Sequence, residues 1–223
     1  MYFKTSCIFA SLFVVLSFPI MALAEKTSAL DENEETHLIF MREEEKLARD
    51  VYITLGKEYG KNPDLASPFS EIVPSEQNHM DTMLAKLKQF SIDDPNTDDD
   101  VGEFTGDDYG SYFTKKYDEL VSEGSTDYLN ALYVGALIEE LDMHDIVKCP
   151  KEIIDIQYWI ESEEDCGMDY TDERRLVRSY DSLLKGSENH LRAFVGIIEQ
   201  FIGYGNYEAQ YLTQEEVDEI LGR

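Results

Sequence analysis

Four long segments of the chain carry apolar residues at alternating steps of three and four. These segments cover about residues 35–58, 67–90, 126–147 and 172–201. This period places the apolar residues on one face of an α-helix, and glycine or proline near the ends marks where a helix stops. The period-two alternation of a strand persists nowhere in the sequence. The pattern therefore predicts an all-α protein.

Short helices and one long connection complete the predicted architecture. A short helix is predicted over about 109–122, and a final helix follows Thr213, which forms a capping box with Glu216. Pro74, inside the second segment, predicts a kink or a restart. The acidic stretch 91–110 fits no EF-hand spacing and is predicted to be a solvated loop. Four long helices with a long crossover between the second and third, plus short extra helices, predict a ferritin-like four-helix bundle.

The first 24 residues have the features of a secretory signal peptide. Lys4 precedes an apolar run, and small residues ending at Ala24 form the exit motif. A membrane anchor is the alternative, but the run is short and the exit motif argues against it. Cleavage would leave a polar leader over residues 25–34 and one ferritin-like domain over 35–223. The protein is therefore predicted to be periplasmic or secreted.

The charge of the chain restricts its partners. The sequence has 47 acidic and 19 basic residues, for a net charge of −28. Such a surface repels nucleic acid and anionic membranes. We therefore expect metal ions as partners, no nucleic acid and no membrane after signal cleavage, while a homodimer is left open.

Cys149 and Cys166 are the two cysteines that follow the signal peptide. In an oxidising compartment such a pair predicts a disulfide, which stabilises the fold by roughly 3 kcal/mol in the chain-entropy model. A redox pair is the alternative, but neither cysteine lies in a Cys-x-x-Cys arrangement. We predict a structural bond.

Each long helix carries a polar residue where its apolar face predicts a hydrophobic one. An unpaired buried carboxylate costs several kcal/mol, so such residues in all four helices indicate that a cation compensates them. Carboxylates together with two imidazoles suit iron, manganese or zinc better than magnesium or calcium. The candidate metal ligands are Glu45, Glu76, His79, Glu139 and His190.

Two other interpretations stay open. Glu34 and His37 repeat the Glu-x-x-His spacing without any sign of a site, so spacing alone carries little weight. A phase error of one residue would move Glu45 or Glu139 to the surface, and a lone core histidine is commonly just hydrogen-bonded.

The alternative function is a metal-free helical bundle with a hydrogen-bonded polar core, acting as a binding or stress-related protein. A hydrolase fits poorly, because Ser187 lies in no nucleophile-elbow sequence.

Four motifs, taken in order, resemble a known family. "REEEKLARDVY", "SEQNHM", "GALIEELDMHDI" and "GSENHLRAF" are similar to the ferritin-like domain family of unknown function numbered 2202. The resemblance covers about residues 35–220. Glu45, Ala48 and Tyr52 also resemble the first helix of rubrerythrin-type proteins. The resemblance implies a metal centre inside the bundle.

The superfamily pattern has one Glu from each of two helices and Glu-x-x-His from each of the other two. The resemblance therefore assigns the single glutamates to Glu45 and Glu139, the first pair to Glu76 and His79, and the second histidine to His190.

One ligand of that pattern is missing, because Ser187 stands where the last glutamate is expected. Asp142, one turn after Glu139, is the candidate replacement; otherwise one metal is bound weakly or the site is mononuclear. The resemblance implies iron or manganese, with zinc as a further candidate, and oxidation of Fe(II) by oxygen or peroxide. Tyr52 would hydrogen-bond a ligand or donate an electron. The enzyme class implied is a di-metal carboxylate oxidoreductase.

Overall fold

A computed structural model of the chain describes residues 29–62, 65 and 68–223. The predicted signal peptide lies outside these residues. The described chain forms seven α-helices, and no strand occurs within it. The prediction of an all-α protein is confirmed. In chain order the helices are α1 Glu32–Tyr59, α2 Pro68–Phe90, α3 Gly110–Gly124, α4 Tyr128–Val147, α5 Lys151–Ile156, α6 Arg174–Ile202 and α7 Gln214–Leu221.

The four long helices pack in a closed cycle. α1 packs most extensively on α2, and α4 on α6. α1 also contacts α4, and α2 contacts α6, so each long helix has two long neighbours. α3 lies against α1 and α4. This arrangement turns one face of every long helix toward a common interior, where the apolar residues are buried.

α1 begins earlier than its apolar pattern predicts. Asp31 caps the helix by accepting a hydrogen bond from the backbone N–H of Glu34, and the Glu34 carboxylate accepts one from the N–H of Asp31. This capping box satisfies two donors at the helix start. The Thr171 hydroxyl donates to the second oxygen of Glu34. The last residues of the predicted polar leader therefore belong to α1.

α2 does not restart at Pro74. The helix is continuous from Pro68 to Phe90 with Pro74 inside it. A proline in this position removes one helical hydrogen bond. The buried residues on either side, including Ile72 and Met80, hold the helix against its neighbours. The expected restart was wrong because packing of this face outweighs the lost bond.

Most acidic residues of the connection after α2 are exposed, as predicted, but the connection is also held to α1 at several points. Arg42 forms two hydrogen bonds of 3.1 Å with the carboxylate of Asp94. Arg49 donates to Asp99 at 2.9 Å, and the Lys46 ammonium donates to the backbone oxygen of Asp100 at 2.8 Å. Cationic residues of α1 therefore hold this loop against the helix.

Cys149 and Cys166 form the predicted disulfide, and their Cα atoms are 4.6 Å apart. The bond closes the segment that contains α5, and both cysteines are buried. The backbone of Cys149 also donates to the oxygen of Glu163 at 2.8 Å. Across the described residues, every helix is too short or too polar to cross a membrane.

Candidate metal centre

All of the predicted ligands face the common interior of the four long helices. α1 supplies Glu45, α2 supplies Glu76 and His79, α4 supplies Glu139 and Asp142, and α6 supplies His190. None of these residues is more than 8% exposed. A groove of about 640 Å³ lies between α4, α6 and α7, and none of the six predicted ligands lines it.

The first group joins α1 and α2. The Nδ1 atom of His79 lies 3.2 Å from Oε2 of Glu45 and 3.2 Å from Oε2 of Glu76. Glu76 and His79 face the same way because residues three apart lie one above the other on a helix. Each of the three residues offers one ligand atom, and these atoms lie within 4.8 Å of one another.

The second group joins α2, α4 and α6. The Nδ1 atom of His190 lies 2.7 Å from Oε1 of Glu76 and 3.4 Å from Oε2 of Glu139. The 2.7 Å contact lacks the geometry of a hydrogen bond, so Nδ1 and Oε1 both have no hydrogen-bond partner among the described residues. Two ligand atoms this close share a cation, which is the proton of the His190 imidazolium when no metal is bound.

Glu76 belongs to both groups. Its two carboxylate oxygens point to different histidines, with Oε2 toward His79 and Oε1 toward His190. The imidazole rings of these histidines have centroids 5.6 Å apart. The geometry is therefore that of two adjacent three-residue sites with one carboxylate between them.

Tyr52 orients Glu139. Its hydroxyl donates to Oε1 of Glu139 at 2.5 Å and lies 3.3 Å from the backbone oxygen of Gly135. The other oxygen of Glu139 is left to face His190. Gly135 leaves room for the ring of Phe194, whose nearest atom would lie 2.3 Å from an added Cβ. The predicted contact of Tyr52 is thus to a carboxylate of the site.

Ser187 acts on Asp142. The Ser187 hydroxyl donates to Oδ2 of Asp142 and lies 3.1 Å from the backbone oxygen of Leu183. Oδ1 of Asp142 is buried and has no hydrogen-bond partner within the described chain. Asp142 lies outside both three-residue groups. Asp142 is therefore a carboxylate beside the two groups, and Oδ1 is its oxygen without a partner in the described chain.

Gly186 is a residue of the site that the sequence analysis missed. A Cβ atom at this position would lie 2.5 Å from both Cε1 and Nε2 of His79. The absence of a side chain therefore leaves room for the imidazole ring. A glycine in the interior of an otherwise helical pattern was the signal that could have identified it.

Burial and opposite charge act against one another in the first group. Burial raises the pKa of Glu45 to about 7, although the contact with His79 lowers it. Burial alone would lower the pKa of His79, but the charges of Glu45 and Glu76 raise it to about 12. With no cation bound, the imidazolium of His79 partly neutralises these carboxylates.

In the second group, too, burial and opposite charge shift the pKa values in opposite directions. Burial raises the pKa of Glu76, but its contacts with His190 and His79 outweigh this effect and hold the pKa at about 2. Burial lowers the pKa of His190, while Glu139 and Glu76 raise it to about 10. Burial, followed by the charges of Glu45 and Glu139, raises the pKa of Asp142 well above its usual range. Glu76 therefore stays ionised between two imidazolium rings, while the raised pKa values of Glu45 and Asp142 reflect buried carboxyl groups that a bound cation would stabilise in their charged form.

The atoms that lack partners fit a metal ion. Glu45 Oε1, Glu76 Oε1, Asp142 Oδ1 and His190 Nδ1 are buried without a hydrogen-bond partner in the described part of the chain. A buried polar atom without a partner costs about 1–3 kcal/mol. Coordination of a cation would satisfy these atoms together. The mixture of carboxylate oxygen and imidazole nitrogen suits iron, manganese and zinc.

Glu34 and His37 do not join this centre. Nε2 of His37 donates to the backbone oxygen of Asp145 at 2.7 Å, and Nδ1 accepts from the Tyr180 hydroxyl at 2.8 Å. Glu34 belongs to the helix cap. Glu34 therefore serves the helix cap, and His37 serves the packing between α1, α4 and α6.

Comparison with known proteins gives relatives of unknown function. The uncharacterized protein MJ0754 of Methanocaldococcus jannaschii is 38% identical over 193 residues, which cover 86% of this chain and 88% of that protein. The crystal structure of the hypothetical protein MJ0754 superposes with a TM-score of 0.70 at 36% identity, covering 87% of this chain and 94% of the other.

The family comparison agrees with the four motifs found in the sequence. Residues 34–223 match the family described as an uncharacterized protein domain, DUF2202. This match covers nearly all of the described residues and includes every residue of the candidate centre. The chain belongs to the DUF2202 family.

Proposed function

We propose that this protein is a ferritin-like four-helix bundle that binds two transition-metal ions between its long helices. The observation that carries the proposal is the pair of buried three-residue groups that share Glu76. A carboxylate between two sites can bridge two ions, as in centres where two metals lie about 3.5–4 Å apart. The closed cycle of long helices, with α3 and its loop between α2 and α4, supports the ferritin-like arrangement.

Each ion has its own ligands in this proposal. One ion is held by Glu45, His79 and Glu76, and the other by Glu139, His190 and Glu76. Asp142 is the additional ligand, and its free Oδ1 takes the place of the glutamate that Ser187 replaces. Ser187 positions Asp142 by its hydrogen bond to Oδ2.

Iron and manganese are the proposed metals, and zinc is the competing one. All three accept this mixture of oxygen and nitrogen ligands. We propose an oxidase or peroxidase-like activity: a pair of iron ions held by these residues would supply the two electrons that, with two protons, convert one hydrogen peroxide to two waters. The chain's own contribution would be to hold the ions in a buried site, while the phenol of Tyr52 orients Glu139 by a hydrogen bond.

We also propose that the protein is exported, because its first 24 residues have the pattern of a signal peptide. The disulfide between Cys149 and Cys166 is consistent with an oxidising compartment. The net charge of −28 favours the approach of cations to the surface.

The proposal is tested by elemental analysis of the mature protein, purified without chelators and reconstituted separately with iron, manganese and zinc. We expect two ions per chain for the preferred metal. The Glu76→Gln variant should lose both ions, because Glu76 is the shared ligand. Glu71→Gln, an exposed carboxylate of the same helix, is the matched control and should keep the wild-type metal content.

A wild-type protein without stoichiometric metal after reconstitution would contradict the proposal. It would favour the metal-free bundle, in which imidazolium and carboxylate groups form a hydrogen-bonded polar core. One ion per chain, lost in Glu45→Gln but kept in Glu139→Gln, would instead show a mononuclear site in the first group.

A further inference from the structure

A second cluster of carboxylates lines a pocket on the other side of α1. This acidic pocket has a volume of about 220 Å³ and lies between α1, α3, α4 and α5. Its carboxylates come from three different helices, with Glu44 on α1, Asp145 on α4 and Glu152 on α5. The aromatic side chains of Tyr112 and Tyr211 complete its polar wall.

Glu44 is the residue that makes this pocket more than an acidic surface. It is 8% exposed, and its Oε2 atom is buried without a hydrogen-bond partner in the described residues. Glu44 itself lines the pocket, together with aliphatic residues that include Leu47 and Ile138. A buried carboxylate oxygen that lines a cavity and lacks a donor is arranged to meet a cation from that cavity.

The acidic pocket adjoins the metal centre through two helices. On α1, Glu44 of the pocket directly precedes Glu45 of the centre, and on α4 Asp145 lies one turn after Asp142. These carboxylates of the pocket and of the centre therefore lie on neighbouring turns of the same two helices.

We propose that the acidic pocket is the entry site through which divalent cations reach the metal centre, with Glu44 as the carboxylate that passes them inward. This inference rests on the proposed function, since it needs a centre to be loaded. Partly hydrated divalent ions prefer carboxylate oxygens, which the pocket supplies without a histidine. The ion then moves from oxygen ligands alone to a site that adds imidazole nitrogen, which holds a transition metal more tightly.

The basic residues of the pocket do not neutralise Glu44. Lys151 pairs with Asp155 on its own helix, and this pair is exposed. Lys116 lines the pocket from α3 and is half-buried. At the buried end of the pocket, Asp145 is paired with His144, whose Nδ1 lies 2.7 Å from its Oδ1. Glu44 has no ion pair with a basic residue in the described chain.

The rate of metal loading tests the entry site. Metal-free mature protein is mixed with Co²⁺ in a stopped-flow instrument, and loading is followed by the visible absorption of the bound ion. We expect Glu44→Gln to load at least about tenfold more slowly than wild type, because one charge on the path is lost. The final amount of bound Co²⁺ should equal that of wild type, since Glu44 is absent from both ligand groups.

Glu43→Gln is the matched control. Glu43 is the preceding residue on α1, is fully buried, and has no hydrogen-bond partner for either oxygen in the described chain, but it does not line the acidic pocket. It should load at the wild-type rate. Glu152→Gln changes a half-buried residue of the pocket, so its fold is secure even if Glu44→Gln fails to fold. We expect it to slow loading less than Glu44→Gln but measurably.

Each outcome decides a different point. Wild-type loading rates in Glu44→Gln or, if that variant does not fold, in Glu152→Gln would overturn the entry site and leave the metal centre standing. Reduced final Co²⁺ in Glu44→Gln would also overturn it, by making Glu44 a ligand. Equal slowing in Glu43→Gln would show a general charge effect and overturn it as well. A wild-type protein that takes up no Co²⁺ would refute both proposals.

Discussion

α1 carries two sets of buried charges, and they differ in what compensates them. On one side, Lys46 and Asp50 are completely buried and lie 2.6 Å apart. Asp50 also accepts hydrogen bonds from Arg49 at 2.9 Å and from the backbone N–H of Gly102 at 3.0 Å. On the other side, Glu45 has one oxygen near His79 and one with no hydrogen-bond partner among the described residues.

The comparison separates structural charges from functional ones. The protein itself supplies the counter-charge and the donors for Asp50, so that residue holds the loop after α2 against the helix. The protein leaves Glu45 partly unsatisfied in an equally buried place. Asp50, with complete partners, has a role in the fold, whereas Glu45 has an unpartnered oxygen beside His79 and Glu76, where an external cation would complete its interactions.

The largest expected effect on stability comes from breaking the buried pair of Lys46 and Asp50. Asp50→Ala leaves the ammonium of Lys46 buried without its carboxylate, and we expect the free energy of unfolding to fall by about 3–5 kcal/mol. Urea denaturation of the metal-free protein measures it. The control is Glu119→Gln, which breaks an exposed pair with Lys115 and should cost less than about 1 kcal/mol. Equal losses in the two variants would show that the Lys46–Asp50 pair is not special.

Added metal should raise the free energy of unfolding through Glu45 and the other proposed ligands. At a hundredfold excess over its Kd, a metal that binds only the folded protein raises the free energy of unfolding by about 3 kcal/mol. Glu45→Gln should lose most of this gain while its metal-free stability stays equal to wild type or rises, because a buried acid is removed. Parallel urea titrations with and without Mn²⁺ measure both quantities. A large loss of metal-free stability in Glu45→Gln would place Glu45 among the structural charges.

His37 extends the comparison to the histidines. Burial lowers its pKa from 6.5 to about 4, and this effect outweighs the hydrogen bond to the backbone oxygen of Asp145, which raises the pKa. Between these values the unfolded chain binds a proton that the folded chain does not, so stability falls as the pH falls through this window. His37→Gln, which can keep both hydrogen bonds, should lose up to about 3 kcal/mol less than wild type between pH 7 and pH 4. Identical pH profiles from urea denaturation would contradict this role.

The smallest expected effect distinguishes two glycines of α6. Gly186→Ala would force a Cβ against the His79 ring, so we expect a loss of about 1–3 kcal/mol in stability and a metal affinity lowered about 10–100-fold. Gly196→Ala has no described atom within 4 Å of the added Cβ and should gain about 0.5–1 kcal/mol from helix propensity. Calorimetric metal titrations and urea denaturation compare the two variants. Equal metal affinities would show that the ring of His79 can shift without loss.

Much of the centre could be predicted because helical period reports which face a residue occupies. Glu45, Glu76, His79, Glu139 and His190 interrupt apolar faces, and all are buried. The same argument could not reach Gly186, because a missing side chain leaves no mark on an apolar pattern. It also missed the buried Lys46 and Asp50, since the pattern assigns charged residues of α1 to solvent, while the loop after α2 covers them.

The sequence by itself determined that four amphipathic helices would form, that each would direct a carboxylate or a histidine inward, and that Cys149 and Cys166 could be bonded. Only the tertiary structure decided that Glu76 lies between two histidines, that Ser187 binds Asp142, and that Glu44 lines a separate pocket. The physical reason is that periodicity depends on the geometry of one helix, whereas contacts between helices depend on their rotation and crossing, which the whole packed core sets.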